Sequence, residues 1–243
     1  MRRALFLAVA AFVLVLIMRL PARWIGPLLP HGIHCRQLDG TAWHGSCAGL
    51  STGGGDLGDL AWNLHALQLL RGRLEAQLDL AGPGSQVSGT VALGVGGALH
   101  GRDVSVDLPL TSALVSAMPG GAHARLLGRL SRIEWTGRFM SQLQGEIDIQ
   151  DLVGPSGQVF GSYQAIFGPE SGSGAADSPT GVIRDTAGVL ALDGTLQLTH
   201  DPGWVLNGHV AARPGASADI ADIIQHMQSP DATGRHPFTL TSP

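Results

Sequence analysis

His31, His34, Cys35, His44 and Cys47 stand close together near the start of the chain and carry side chains from which a transition-metal site is built. Zinc accepts imidazole and thiolate, but its usual signature is a short paired spacing such as C-x-x-C, which is absent. Oxidation is the competing chemistry: a disulfide between Cys35 and Cys47 would bridge adjacent strands through the Asp39-Gly40 turn region. The disulfide is the preferred reading, with free thiols and a metal site as the alternatives. For nucleophilic catalysis no G-x-S-x-G is present, and no spacing of Ser, His and Asp singles out a triad. Two carboxylate pairs could do acid–base work, Asp56 with Asp59 and Asp103 with Asp107. The first falls among glycines and reads as a turn; the second falls on the polar side of a strand. Gly53-Gly54-Gly55 precedes neither Lys-Ser/Thr nor a convincing helix, so it does not read as a phosphate loop. His100, His123, His200 and His209 are scattered and read as solvent-facing. The expectation is a protein without catalytic residues, metal or cofactor.

The elements that would carry these residues are mostly strands. Arg73–Leu80 places Leu74, Ala76, Leu78 and Leu80 on one face, with Arg73, Glu75, Gln77 and Asp79 on the other. Leu190–Thr199 does the same, Asp103–Leu108 and Glu146–Ile149 alternate as cleanly, and Val87–Leu93, Phe160–Phe167 and Trp204–Ala212 are compatible. This period of two marks half-buried strands, which suit an antiparallel sheet with one wet side. A short pattern of apolar, any, Gly, any, apolar returns at Gly89, Gly128, Gly145, Gly194 and Gly208. Each glycine shares the apolar face, and glycine inside a strand marks a bend, a bulge or a close approach. Repeated this often, it predicts a strongly curved sheet with an apolar concave side. Three short helices are expected, at 65–70, 110–118 and 218–227, and 168–180 reads as a flexible surface loop.

The chain has 243 residues, with 35 Gly, 14 Pro and no Lys. Four of its 15 Arg (Arg2, Arg3, Arg19 and Arg23) fall in the first 23 residues, which hold no acid, and this leaves 11 Arg against 19 Asp and Glu, a balance of −8, in the body. A body this acidic is a poor match for nucleic-acid phosphates, so nucleic-acid binding is excluded as a function class. Ala4–Met18 is an unbroken apolar run of 15 residues, about 22 Å as a helix. Extension through Arg19 to Trp24 approaches the ~30 Å of a hydrocarbon core if the arginines snorkel. A cleaved signal peptide and a buried soluble helix are the alternatives, but no Ala-x-Ala follows the run. The expected organisation is a cytoplasmic tail at 1–3, a transmembrane anchor at 4–23, and a periplasmic β-rich domain at 24–243. Arg19, Arg23 and Trp24 are the expected membrane-interface residues, and lipids contact the anchor.

Leu38-Asp39-Gly40-Thr41-Ala42-Trp43-His44-Gly45 is followed by Leu60-Ala61-Trp62-Asn63-Leu64 and by Leu69-Leu70-Arg71-Gly72-Arg73-Leu74; Leu108-Pro109-Leu110 and Leu192-Asp193-Gly194-Thr195-Leu196 come later. With a short N-terminal anchor and a length near 250, this ordered set resembles the type II secretion system protein N family. AsmA-type exported β-proteins share its G-x-x-W-x-G flavour. Ala66-Leu67 departs from the pattern, standing where a Pro is expected. The resemblance implies a mainly β fold and an inner-membrane accessory role in exporting folded proteins across the outer membrane of a Gram-negative cell. It also implies contacts with other inner-membrane subunits, with the outer-membrane secretin as a further candidate, and carries over no catalytic residue. An AsmA-like lipid-handling module with an apolar trough is the alternative. Gly40, Trp43, Gly45, Trp62 and Gly72 are the expected structural residues, each Trp lying across the space a Gly leaves.

Overall fold

A computed structural model describes residues 16, 19–24, 32–52, 55–65, 68, 72–94, 96–111, 121–137, 139–169, 178–199 and 203–241. Most of the expected anchor at 4–23, most of the helices expected at 65–70 and 110–118, the 170–177 part of the expected loop, His31 and His200 lie outside the described residues. Among the described residues no helix is long and apolar enough to cross a membrane.

The alternating segments become strands of one antiparallel sheet in which every strand pairs with its neighbours in sequence. They are β1 (His34–Gly40), β2 (His44–Thr52), β3 (Gly55–Leu64), β4 (Leu74–Gly82), β5 (Ser85–Leu93), β6 (Leu99–Thr111), β7 (His123–Trp135), β8 (Met140–Val153), β9 (Val159–Phe167), β10 (Thr180–Gly188), β11 (Leu190–Thr199), β12 (Gly203–Ala212) and β13 (His236–Thr241). Most of these pairings follow from short connections, because two strands joined by a tight turn can only pair antiparallel. At Pro83-Gly84, for example, Gly82 faces Ser85 across a two-residue turn. Leu110 and Thr111, expected to open a helix, instead extend β6 and pair with Ala124 and His123 of β7. Their place beside β7 outweighs the weak local helical signal. Asp56 and Asp59 are likewise strand residues of β3, not turn residues.

Register puts most of the large apolar residues of these strands on one face; Ile166 and Val182, paired across β9 and β10, face outward. A single row crosses the sheet from Gly45 on β2 through Trp62, Leu78, Gly89, Val104, Leu130, Gly145, Phe167, Gly181 and Leu196 to Leu206 and Leu240. As far as Gly181, a glycine returns at every second or third place along this row. A close glycine pairing lies beside it, where Gly194 of β11 faces Gly208 of β12 and a Cβ on either would overlap the partner strand's backbone carbonyl. Nearby, β9 and β11 approach within 8 Å at Cα although β10 lies between them. Flat strands two places apart would stand about 9.5 Å away, so the sheet curls here.

Curling gives the face something to pack on. Leu143, Ala165, Phe167 and Ile183 form a buried cluster, joined by Leu130 and Ile147 from one side and Leu196 and Leu206 from the other. The second buried cluster is capped by α1 (Ala218–Gln225), the one expected helix that the described residues contain in full. Ser217 caps its N-terminus by accepting from the Ile220 amide, and Ile220 and Ile224, one turn apart, pack on Val210 and Phe238.

Candidate functional site

The G-T-x-W-x-G segment makes the β1–β2 hairpin, and its residues meet at one corner of the sheet. Gly40 faces Gly45, Gly45 faces Trp62, and the Trp62 ring occupies the space where a Gly45 Cβ would stand. The indole Nε1 of Trp62 donates to the Ala42 carbonyl at 3.1 Å, so the ring packs on one turn residue and holds another. The carbonyl of Trp43 accepts from the Leu64 amide at 2.7 Å, tying the turn to the end of β3. Gly72, at φ 70°, lies in the β3–β4 connection at the same end of the sheet.

This corner receives the chain arriving from the apolar N-terminal run. The Ala42 amide donates to the Leu20 carbonyl at 2.8 Å, Pro21 bridges Thr41, and a 3-10 turn at Ala22–Trp24 buries Ala22. Arg19 and Arg23 are exposed, as is Trp24, at 64%. Cys35 and Cys47 are joined by a disulfide across β1 and β2, with Cα atoms 5.8 Å apart. Cys47 is buried, and the bond ties the outermost strand to its neighbour beside the junction.

At the other end of the sheet, α1 leaves an apolar cavity of about 200 Å³ lined by Leu190, Val210, Ile220, Ile223, Phe238 and Leu240. Ile223 is 67% exposed and Leu240 50%. Leu240 lies on β13, which pairs with β12 on one side only and so ends the sheet. An open strand edge beside an apolar groove can take an extended segment or bury against another apolar surface. Between this groove and the junction, the apolar row is mostly half-buried.

The candidate catalytic groups are not brought together. Asp59 accepts from the Gly49 amide, and Asp56 accepts from the Gly58 amide and pairs with Arg36 at 3.7 Å. Asp107 takes both nitrogens of Arg125 at 2.8 Å, and that guanidinium lowers its carboxyl pKa. Asp103 stands in a left-handed conformation, φ 50°, within β6. The imidazole of His100 faces Glu134 at 3.6 Å and that of His209 faces Asp231 at 3.9 Å. Thr233 and the Arg235 amide bond to the Asp231 carboxylate and hold its pKa down at about 2. No group of three or more metal-ligating side chains occurs among the described residues. Sequence reasoning missed the α1 groove, because Ile223 and Leu240 lie far apart in sequence. It also missed β10 and β13. The short β13 strand, with its Pro, carries little period-two signal.

Residues 31–239 match the family model described as Type II secretion system (T2SS), protein N. The chain is 34% identical over 234 residues, 91% of its length and 90% of the relative's, to the type II secretion system protein N of Vibrio cholerae serotype O1. Its similarity to the protein of the same name from Aeromonas hydrophila is also 34% identity, over 44% of this chain and 42% of that one. No solved structure matches.

Proposed function

The chain belongs to the type II secretion system protein N family, and from that premise we propose that it is a non-catalytic inner-membrane accessory subunit of the secretion machine. It acts by binding. In this reading residues 4–23 cross the inner membrane once, with 1–3 in the cytoplasm and 24–243 in the periplasm. The basic start and the 15-residue apolar run support that orientation. A further support is the exposed Arg19, Arg23 and Trp24 where the run meets the sheet, since such side chains sit well at headgroup level.

The observation that carries the binding role is the apolar row crossing from β2 to β13, much of it half-buried and capped by α1 at one end only. A face of this kind gains about 25 cal/mol for each Å² it buries. Other inner-membrane subunits are the proposed occupants, meeting the inner face and the β13 edge, and the outer-membrane secretin is a more distant candidate. Photocrosslinkers at Ile223 and Leu240, in cells with the complete machine, should capture those subunits, while one at Thr195 on the opposite face should not. Equal capture at all three positions would refute a specific inner-face contact.

The same half-open row favours a second reading, an AsmA-like trough for a lipid acyl chain. Native mass spectrometry of the detergent-purified chain separates the two: near-stoichiometric phospholipid supports the trough. A carboxyl-terminal alkaline phosphatase fusion tests the topology, because it is active only if the sheet is periplasmic.

A further inference from the structure

On the opposite, polar face, cationic side chains collect at one end of β4 to β7, with Arg73 just before β4 and Arg102 and Arg132 on β6 and β7. Arg102 of β6 stands directly across from Arg132 of β7, a like-charge pairing that costs stability unless something offsets it. Glu75 offsets one of the two, accepting from Arg102 at 2.9 Å. Arg132 has no such partner. Among the described arginines that follow Trp24, only Arg73, Arg129 and Arg132 make neither an ion pair nor a side-chain hydrogen bond. The others are held by Asp56, Glu75, Asp107, Gln164, Asp185 and Asp193. In a body with 19 acids for 11 arginines, two of these unmatched cations, Arg73 and Arg132, border one cavity together with Arg102, against the average charge.

The cations surround a depression. The polar row Glu75, Ala92, His100, Glu134 has one short member, the buried Ala92, and with Gly94 and Gly101 it forms the floor of a cavity of about 290 Å³. Arg73, Arg102, Arg132 and Glu134 are in the wall. A second cavity shares Arg73 and Arg102 and adds Gln68 and Glu75. Both strands carry an extra residue beside the cationic pair: β6 sets two residues, Asp103 and Val104, against Gly89 of β5, and β7 spends an additional one against β8 at Ser131. The two irregularities keep Arg102 and Arg132 on the polar face while Gly101, Val104, Leu130 and Ile133 stay on the apolar one.

We infer that this depression is a binding site for carboxylates of an acidic segment of a partner polypeptide, a surface separate from the apolar face. Charge sets the ligand class. Three guanidinium groups against Glu75 and Glu134 leave one positive charge, which a single carboxylate neutralises and a dianionic phosphate overshoots. Guanidinium also presents planar paired donors that match a carboxylate's two oxygens. A cavity of this size exceeds one carboxylate, so it takes the side chain together with the backbone that bears it.

The test uses the full chain in neutral detergent and fluorescent hexaglutamate as the probe, read by anisotropy, with hexaglutamine as the uncharged control. Hexaglutamate should bind at low ionic strength and weaken with added salt. Arg73→Gln and Arg132→Gln should each weaken it about fivefold, and Arg36→Gln, at the far edge of the sheet, should leave it unchanged. Circular dichroism confirms that each variant is folded. No binding, or equal loss in all three variants, overturns the site. Displacement of the probe by inorganic phosphate at equal concentration, or binding of phosphatidylglycerol vesicles with the same Arg73 and Arg132 dependence, overturns the carboxylate assignment.

Discussion

Tyr163 is the chain's one tyrosine, which turns a pH titration into a probe of a single point on the inner face. It is 7% exposed on β9, and its hydroxyl donates to the Phe160 carbonyl at 3.2 Å. Burial penalises the phenolate first and the Asp185 carboxylate adds to that, against a smaller opposing effect of Arg213; the pKa is pushed up to about 12. An unfolded tyrosine ionises near 10. At pH 11 the folded chain should therefore hold about one phenolate in ten molecules and the unfolded chain about ten in eleven. The sign follows: a pKa raised by folding stabilises the fold fully below pH 10, and that contribution is lost as pH climbs through 10 to about 12. Absorbance at 295 nm, with circular dichroism to verify folding at each pH, gives the midpoint. Asp185→Asn, which keeps an acceptor for the Leu192 amide, should lower the midpoint only part of the way. A native midpoint near 10 would refute the burial of this face. A fall all the way to 10 in the variant would refute desolvation as the leading cause.

Replacing Cys35 and Cys47 together by Ser should cost about 2–3 kcal/mol in urea unfolding, from the loop-closure entropy returned to the unfolded chain; the parent should show no titratable thiol without reductant. Gly208→Val drives a side chain into the Asp193 carbonyl and should cost at least about 3 kcal/mol, whereas Thr195→Val on the exposed face should stay within about 0.5 kcal/mol. Phe238→Ala removes a buried ring under Ile220 and Ile224 and should cost about 3–5 kcal/mol. Hydrogen exchange should then show α1 losing protection, since eight residues are too few for a helix to persist alone.

Period-two alternation made the mainly β, antiparallel character legible, and it located β4, β5, β9, β11 and β12 within a few residues. Those strands have one wet face, so each residue's polarity records its side. The alternation was blind where composition is small or mixed: Thr180–Gly188 has only Val182 and Ile183 as large apolar residues, and Val182 faces outward. Leu110 and Thr111 read as helical because the residues after them resemble a helix, while the strand pairing that holds them is with β7, which local spacing does not record. The glycine pattern was visible as a repeat, but its pairing was not. That Gly194 meets Gly208, or that Trp62 fills the gap at Gly45, depends on register between strands. The cationic depression was illegible for the same reason: Arg73, Arg102 and Arg132 acquire a common neighbourhood only through the β4–β5–β6–β7 pairings.

A single sheet with one apolar face has the problem that nothing covers it, and two of its features answer that problem differently. Where Gly194 and Gly208 let the backbones approach, the sheet bends until β9 and β11 share a cluster and Phe167 and Ile183 are buried by their own neighbours. Where the sheet ends, α1 supplies a partial second layer through Ile220 and Ile224. Neither device reaches β3 to β6, whose inward residues Trp62, Leu78, Val91 and Val104 remain half-buried. Large apolar residues left in that state across several strands are costly in water and gain from any contact that excludes it. Their small inward neighbours Gly45, Gly89 and Gly101 leave gaps that the side chains of Trp62, Val104 and Ile133 pack into. The apolar binding role therefore depends most on β3 to β6. Inward charges placed there, such as Leu78→Asp, should weaken binding to other subunits more than the same change at the self-covered Leu196. Equal loss of capture at both positions, with both variants folded, would place the contact elsewhere.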